Sequence, residues 1–472
     1  MPVSNRASIN RRRPLLDRLL WLGSSVLFFL HIPAQADDWP QWMGPNRDGV
    51  WRETGIVSAI PPAGLPVQWR VSVKGGYSGP AVADNRVYLT DYDRREGDLV
   101  NSPNDRTESV GCERVLCFDA ARGKLLWKYE YECPYAISYA AGPRCTPTVA
   151  AGKVYALGAE GNLTCLHAIS GAVLWSKDFK KEYRVATPIW GFCGHPLLVG
   201  KSLICLVGGA GSVVVAFDKD TGHELWRALS ASEPGYCPPS IIQSAGRQQL
   251  LIWDADKLNS LDPNTGEIFW SQPLKPAYGM SIMAPRMAQT KSGDVLFASG
   301  IGRVGALYKL DAAAPGASVV WRGEPKTAVY CANSTPFING QTLYGADCDT
   351  GMLTAVDLAT GSRLWETAEP TTGGTRRGKH GTAFLVQHKQ PSATAAATAT
   401  AAADATWIFS ETGDLILATL TPDSYSERGR THILDPTGEC FGRAIVWSHP
   451  AFANRCIFAR NDEELVCISL AE

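Results

Sequence analysis

Four cationic or potentially cationic side chains, Arg376, Arg377, Lys379 and His380, follow directly on Gly373-Gly374-Thr375. Arg144, Arg286 and Arg443 stand at comparable points of a sequence repeat, where a strand begins. If these groups share one end of the molecule, they make a positive mouth suited to an anionic small ligand or a carboxylate-rich peptide. Trp190 and Tyr236, with Tyr77 and Tyr330, would add aromatic walls, and His195, His380 and His449 lie near strand starts from which they could approach the same space. Taken one at a time, each has a plainer reading: a solvated charge on a loop, a packed ring, or a histidine bonded to neighbouring backbone.

Signatures of turnover are missing. Neither H-E-x-x-H nor G-x-S-x-G occurs, and no Cys or His cluster has zinc spacing, so no catalytic residue and no metal ligand is assigned. Gly300-Ile301-Gly302-Arg303-Val304-Gly305 is a literal dinucleotide fingerprint, but that chemistry needs a helix next, and the alternating ALYKLD reads as a strand. Gly194 and Gly200-Lys201-Ser202 miss the phosphate-loop spacing by one residue. Asp347, Asp349 and Glu411 sit in YGADCDTGML and FSETGDL, where turn chemistry accounts for them. Thirteen cysteines leave at least one thiol unpaired within the chain. Cys165, Cys205 and Cys467 read as small buried hydrophobes, and pairing of Cys112 with Cys117 or Cys133 stays open.

The elements that would position these residues are repeats. CFDAARGKLLW, CLHAISGAVLW, AFDKDTGHELW, SLDPNTGEIFW and AVDLATGSRLW superimpose without gaps and end at Trp127, Trp175, Trp226, Trp270 and Trp365. Gly123, Gly171, Gly222, Gly266 and Gly361 hold the position four before the Trp, and Trp321 ends a further copy with two extra residues. The spacing averages about 48 residues, a period of propellers and arrays. Runs such as KVYALGA and LTCLHAI alternate with period two, and Asp-x-x-Thr-Gly is a turn in which Asp bonds nearby backbone while Gly accepts positive φ. Each repeat is then a small antiparallel sheet, and its Trp fills the gap to the next sheet.

Innermost strands are expected after Gly76, Gly142, Trp190, Gly235, Ser281, Cys331, Lys379 and Phe441, which gives eight blades of four strands. Trp69 carries the outer-strand pattern with no blade before it, and the last blade ends at ELVCISLAE without a Trp segment. Pairing the two closes an all-β, eight-bladed β-propeller over 37–472 and removes exposed edges. Asp93–Val110 is expected as a polar loop over one face, and 391–406 as a low-complexity insertion in blade seven.

Lys plus Arg total 45 against 46 for Asp plus Glu, so no global field favours nucleic acid. Basic residues precede an apolar run from Leu19 to Ile32, and Ala34-Gln35-Ala36 supplies a cleavage pattern. Residues 1–36 therefore read as a signal peptide, with an N-terminal anchor as the alternative, and the remainder is expected outside the cytoplasm, in the periplasm or beyond. The paired Arg12-Arg13 leaves the general and twin-arginine routes both open.

The AxDxxTGxxxW unit resembles the tryptophan-docking repeat of the pyrroloquinoline quinone (PQQ) repeat propellers, which include quinoprotein alcohol dehydrogenases and the outer-membrane assembly factor BamB. The opening DWPQWMGPNRDGV, with KHGTAF and WSHPAF, is similar to exported propellers of planctomycete-type bacteria. The resemblance implies the propeller, with Trp69, Trp127, Trp175, Trp226, Trp270, Trp321 and Trp365 as docking residues. It implies a BamB-like binding or scaffold module at the cell envelope, with an envelope protein or peptide, or an anionic small ligand, as partner. Its alternative is a divergent PQQ- and calcium-dependent alcohol dehydrogenase, or a small-molecule carrier, using the axial channel. The adjacent cysteine pair of those dehydrogenases is absent, so no cofactor is assigned.

Overall fold

The computed structural model describes residues 37–374, 377–389 and 405–472. The expected signal peptide, Arg376 and positions 391–404 of the expected insertion lie outside the described residues. The last two positions of that insertion, Ala405 and Thr406, begin the strand Ala405–Ser410.

Eight antiparallel sheets of four strands succeed one another along the chain. Blade 1 comprises Ala81–Ala83, Arg86–Glu96, Thr107–Asp119 and Leu125–Glu132. Blades 2 to 7 start at the innermost strands Thr148–Ala150, Leu197–Val199, Ser240–Ser244, Arg286–Thr290, Phe337–Asn339 and Ala383–His388. Blade 8 takes Ala451–Ala453, Cys456–Arg460 and Glu464–Ser469 from the C-terminal end and Val67–Ser72 from the other, with Trp69 opposite Cys467. The ring is therefore closed as the unpaired segments required.

Three expectations are refined. Phe441 does not lead into an innermost strand: Gly438–Cys440 and Arg443–Ile445 form a separate hairpin, and blade 8 begins at Ala451. Most of the polar stretch after Asp93 extends two long strands of blade 1 and leaves only 97–106 as loop. The Gly300–Gly305 run is a hairpin turn between Gly293–Gly300 and Val304–Leu310, with no helix. All thirteen cysteines are unpaired, and Cys165, Cys205 and Cys467 are buried.

The blades are held by their indoles. Trp69 Nε1 donates to the Ala120 carbonyl of blade 1 at 2.9 Å, Trp127 to Ala168 of blade 2 at 2.9 Å, and Trp175 to Lys219 of blade 3 at 3.1 Å. Trp226, Trp321 and Trp365 repeat the contact on Pro263, Leu358 and Thr421. Trp270 departs, donating at 3.0 Å to Gln249 Oε1 in its own blade. Blade 5, which it faces, has the lengthened turn before Trp321. Opposite four of the rings the repeat glycine leaves no room for a side chain: a Cβ on Gly123, Gly171, Gly222 or Gly266 would stand 2.6–2.8 Å from the facing indole.

A strap over 39–51 crosses the axis. Trp39 bridges Val82 of blade 1, and the Pro40 carbonyl accepts from Val149 of blade 2. The Arg47 guanidinium donates to the carbonyls of His195 and Pro196 ahead of blade 3 and, at 3.0 Å, to Pro239 ahead of blade 4. Arg286 of blade 5 donates to the Arg47 carbonyl at 2.9 Å, and Val50–Trp51 pairs in parallel with Gln387–His388 of blade 7. A segment bonded to inner strands on opposite sides of the ring closes the channel between its two faces.

Candidate functional site

On one side of the strap the axis opens as a cup of about 320 Å³ with Trp42 in its lining. All eight blades contribute, mostly from the segments that lead into the innermost strands. Tyr77 comes from blade 1, Tyr139 and Arg144 from blade 2, and Trp190, Cys193 and His195 from blade 3. Tyr236, Tyr278 and Asn333 follow from blades 4, 5 and 6, then Lys379 and His380 from blade 7. The hairpin before blade 8 supplies Phe441, followed by Trp447 and His449. Pro103 and Asn104 of the blade 1 loop stand at the rim.

Of the residues picked from sequence, Arg144, Trp190, His195, Tyr236, Lys379, His380 and His449 meet in this cup, with Tyr77. Others are elsewhere. Arg286 lies on the far side of the strap beside Arg47, and its Nε donates to the Pro336 carbonyl at 3.0 Å. Arg377 and Arg443 line a cleft next to the cup, where Arg377 pairs with Glu366 at 2.7 Å and Arg443 with Glu411 at 2.9 Å. Tyr330 is buried, with its hydroxyl on the Glu324 carbonyl at 2.6 Å. Asp347 closes its own turn through the Asp349 and Thr350 amides and pairs with Arg363 at 2.7 Å.

The cup is aromatic rather than strongly positive. Trp42 stacks on His195 with ring centroids 5.0 Å apart, Trp190 meets Tyr236 edge-on at 5.5 Å, and His380 stacks on Phe441 at 5.1 Å. Arg144 lies 5.1 Å from the Tyr77 ring and donates to the carbonyls of Ser138, Tyr139 and Gly142. Desolvation strips the histidines of charge. It holds His195 well below the ordinary range, aided by His449 and Arg47, and lowers His449 to about 3 and His380 to about 4. His195 Nδ1 accepts the Thr146 amide at 2.9 Å, which orients its ring.

No Asp or Glu lines the cup among the described residues. Glu411 touches its wall indirectly: it accepts Trp447 Nε1 at 3.2 Å, the Thr382 amide at 3.0 Å and Arg443. A quinone cofactor with calcium needs carboxylate oxygens for the metal and an acid-base group beside the reactive carbonyl. No carboxylate oxygen for the metal lines the cup among the described residues, so the cup does not fit that pair.

Sequence reasoning missed Trp42, Tyr139, Tyr278, Phe441 and Trp447. Trp42 belongs to the strap, outside any repeat; Tyr139, Phe441 and Trp447 stand outside the blade strands, and Tyr278 lies in the short 3-10 turn Ala277–Gly279.

A family profile described as outer membrane protein assembly factor BamB matches residues 111–367 and 254–472. The BamB of Shewanella oneidensis is 23% identical over 232 residues, 47% of this chain and 56% of that protein. The quinohemoprotein alcohol dehydrogenase ADH-IIG of Pseudomonas putida is 30% identical over 135 residues, 26% of this chain and 18% of that protein. The chain thus spans little more than half the length of one of these relatives and under a fifth of the other. Among solved structures, BamB from Moraxella catarrhalis superposes with a TM-score of 0.54 at 14% identity, covering 86% of this chain and 97% of that one. Quinohemoprotein alcohol dehydrogenase from Comamonas testosteroni gives 0.59 at 12% identity, covering 92% and 80%.

Proposed function

Because the chain belongs to the family of BamB-type propellers, we propose that it is a binding module at the cell envelope, exported and noncatalytic, that engages its partner through the cup and surrounding rim. One observation carries this reading: a walled cup fed by all eight blades holds aromatic rings and uncharged histidines but no carboxylate among the described residues. Such a lining recognises by stacking and hydrogen bonding. It has little means of moving protons near neutral pH, because a general base works best with a pKa near the operating pH. No helix of the described residues is long and apolar enough to cross a membrane, and export rests on the sequence reading of residues 1–36.

The alternative, a quinoprotein dehydrogenase, draws on the P. putida relative but meets a cup with no carboxylate for calcium among the described residues. Site-specific photocrosslinking in cells tests the proposal. A crosslinker at Asn104 on the rim should capture an envelope partner, whereas one at Leu174 on an outer strand should not. Equal yields at both positions would overturn it.

A further inference from the structure

We propose that the chamber on the far side of the strap is a second binding site, independent of the cup, which takes an extended peptide of a partner protein by main-chain pairing.

A repeated position carries the inference. In seven blades a proline stands just ahead of the innermost strand, from Pro80 in blade 1 to Pro450 in blade 8. The residue two places after it is Val82 in blade 1 and Val149 in blade 2, and both turn their amides away from their own sheets and into the strap. Val82 donates to the Trp39 carbonyl and Val149 to the Pro40 carbonyl, each at 2.8 Å. Consecutive strap residues thus serve consecutive blades. In blades 3 to 6 the same position is Leu198, Ile241, Met287 and Ile338. Leu198 and Ile338, like Val82 and Val149, stand one residue before the pair that closes a two-residue hairpin turn. Ile241 and Met287 stand two residues further back, which keeps the alternation. In an antiparallel ladder that alternation points all of these amides outward, toward the axis.

The strap serves blades 1 and 2 and then blade 7, where Gln387 donates to the Gly49 carbonyl at 2.9 Å. The amides of Leu198, Ile241, Met287 and Ile338 have no acceptor among the described residues, and all four residues line one chamber of about 570 Å³. Phe452, at the same position in blade 8, is covered instead by the rings of Trp39 and Trp51.

The unmet groups are of one kind. Carbonyls of the same prolines are already taken, Pro196 and Pro239 by the Arg47 guanidinium and Pro336 by Arg286. Amide donors remain, and Ser240 Oγ, buried at the chamber wall, has no partner either. A row of neutral donors set among half-buried apolar side chains matches the carbonyls and alternating side chains of an extended peptide, as the open edge of a sheet takes another strand. The strap supplies the precedent within this chain, since its Val50–Trp51 adds in parallel to the inner edge of blade 7.

Panning the purified protein with a phage-displayed library of random heptapeptides, then measuring hydrogen–deuterium exchange with an enriched peptide made by synthesis, tests this. The peptide should slow exchange in Leu197–Val199, Ser240–Ser244, Arg286–Thr290 and Phe337–Asn339, and leave Ala81–Ala83 and Thr148–Ala150, already bonded to the strap, unchanged. Met287→Pro and Ile338→Pro each delete one outward N–H and no ladder bond, so each should weaken the peptide about fivefold. Gln289→Pro deletes the next outward amide of the same strand, beyond the chamber, and should leave affinity unchanged. Thermal unfolding checks that the variants fold, and the exchange pattern of the parent decides by itself if they do not. Failure to enrich any peptide, or an affinity that survives both Met287→Pro and Ile338→Pro, would overturn the proposal. Protection confined to the cup, around Tyr139, Trp190 and Phe441, would also overturn it while leaving the reading of the cup intact.

Discussion

Trp69 and Cys467, 398 positions apart in sequence, face each other across the antiparallel ladder that closes blade 8, and the Trp69 indole reaches on to the Ala120 carbonyl of blade 1. One residue thus joins the two ends of the chain and docks the closing blade on its neighbour. Trp69→Ala should cost roughly 3–5 kcal/mol, the usual range for removing a packed aromatic ring. Urea unfolding followed by circular dichroism measures it. A cost below about 1 kcal/mol would show that closure does not depend on the indole.

Gly123 and Gly152 offer a matched pair. Both have positive φ, 67° and 74°, but a Cβ on Gly123 would stand 2.7 Å from the Trp69 ring, whereas one on Gly152 meets nothing within 4 Å. Alanine at either position carries the backbone penalty of about 1 kcal/mol, and only at Gly123 does it also displace the indole. Thermal unfolding should therefore drop further for Gly123→Ala than for Gly152→Ala. Equal drops would mean that the glycine serves the turn alone.

Much of this architecture was legible in sequence because Gly and Trp recur four residues apart, and a periodic requirement leaves a periodic trace. The closing strand was legible through its mismatch, a Trp segment at one end and a missing one at the other. The cup was half legible. Lys379, Arg144 and the three histidines stand just before innermost strands, where a propeller brings chain segments to its axis. Arg286 stands one step later, inside its strand, and so falls on the far side of the strap. Trp42 and Phe441 were not legible as cup residues: Trp42 lies in a strap outside the repeats, and the repeat pattern placed Phe441 at an innermost strand where the chain forms an added hairpin. The expected positive mouth is muted because Arg286 lies on the far side of the strap and Arg377 and Arg443 pair with Glu366 and Glu411 in the adjoining cleft.

Those histidines predict a pH dependence. His449 and His380 are lowered to about 3 and about 4, from an ordinary value of about 6.5. Between these values the unfolded chain binds the protons and the folded chain does not, so their contribution to stability falls as pH drops below about 6.5. Buried Glu113 and Glu411, raised by desolvation, act in the opposite sense above the ordinary carboxylate value, where the folded chain holds their protons more tightly than the unfolded one. Comparing His449→Gln with the parent isolates the histidine: the urea midpoint of the variant should fall less between pH 6.5 and 4. Parallel curves would refute the assignment.

The strap makes its own prediction. Arg47 is buried without a carboxylate partner, its guanidinium lowered to about 9 by desolvation and satisfied by carbonyls ahead of blades 3 and 4. Arg47→Met should cost about 2 kcal/mol or more, since it strands those acceptors. It should also shift Trp42 emission to the red as the floor of the cup loosens. Unchanged stability and emission would mean that the strap is held elsewhere.

The central claim is recognition without turnover in a cup that, among the described residues, has no carboxylate to hold a metal. Titrating the purified protein with PQQ and calcium, with quinone absorbance and alcohol-driven dye reduction read together, tests it most directly. The account predicts no calcium-dependent stoichiometric binding and no dye reduction above the protein-free rate. Saturable, calcium-dependent uptake of one quinone per chain with alcohol-dependent dye reduction would contradict it.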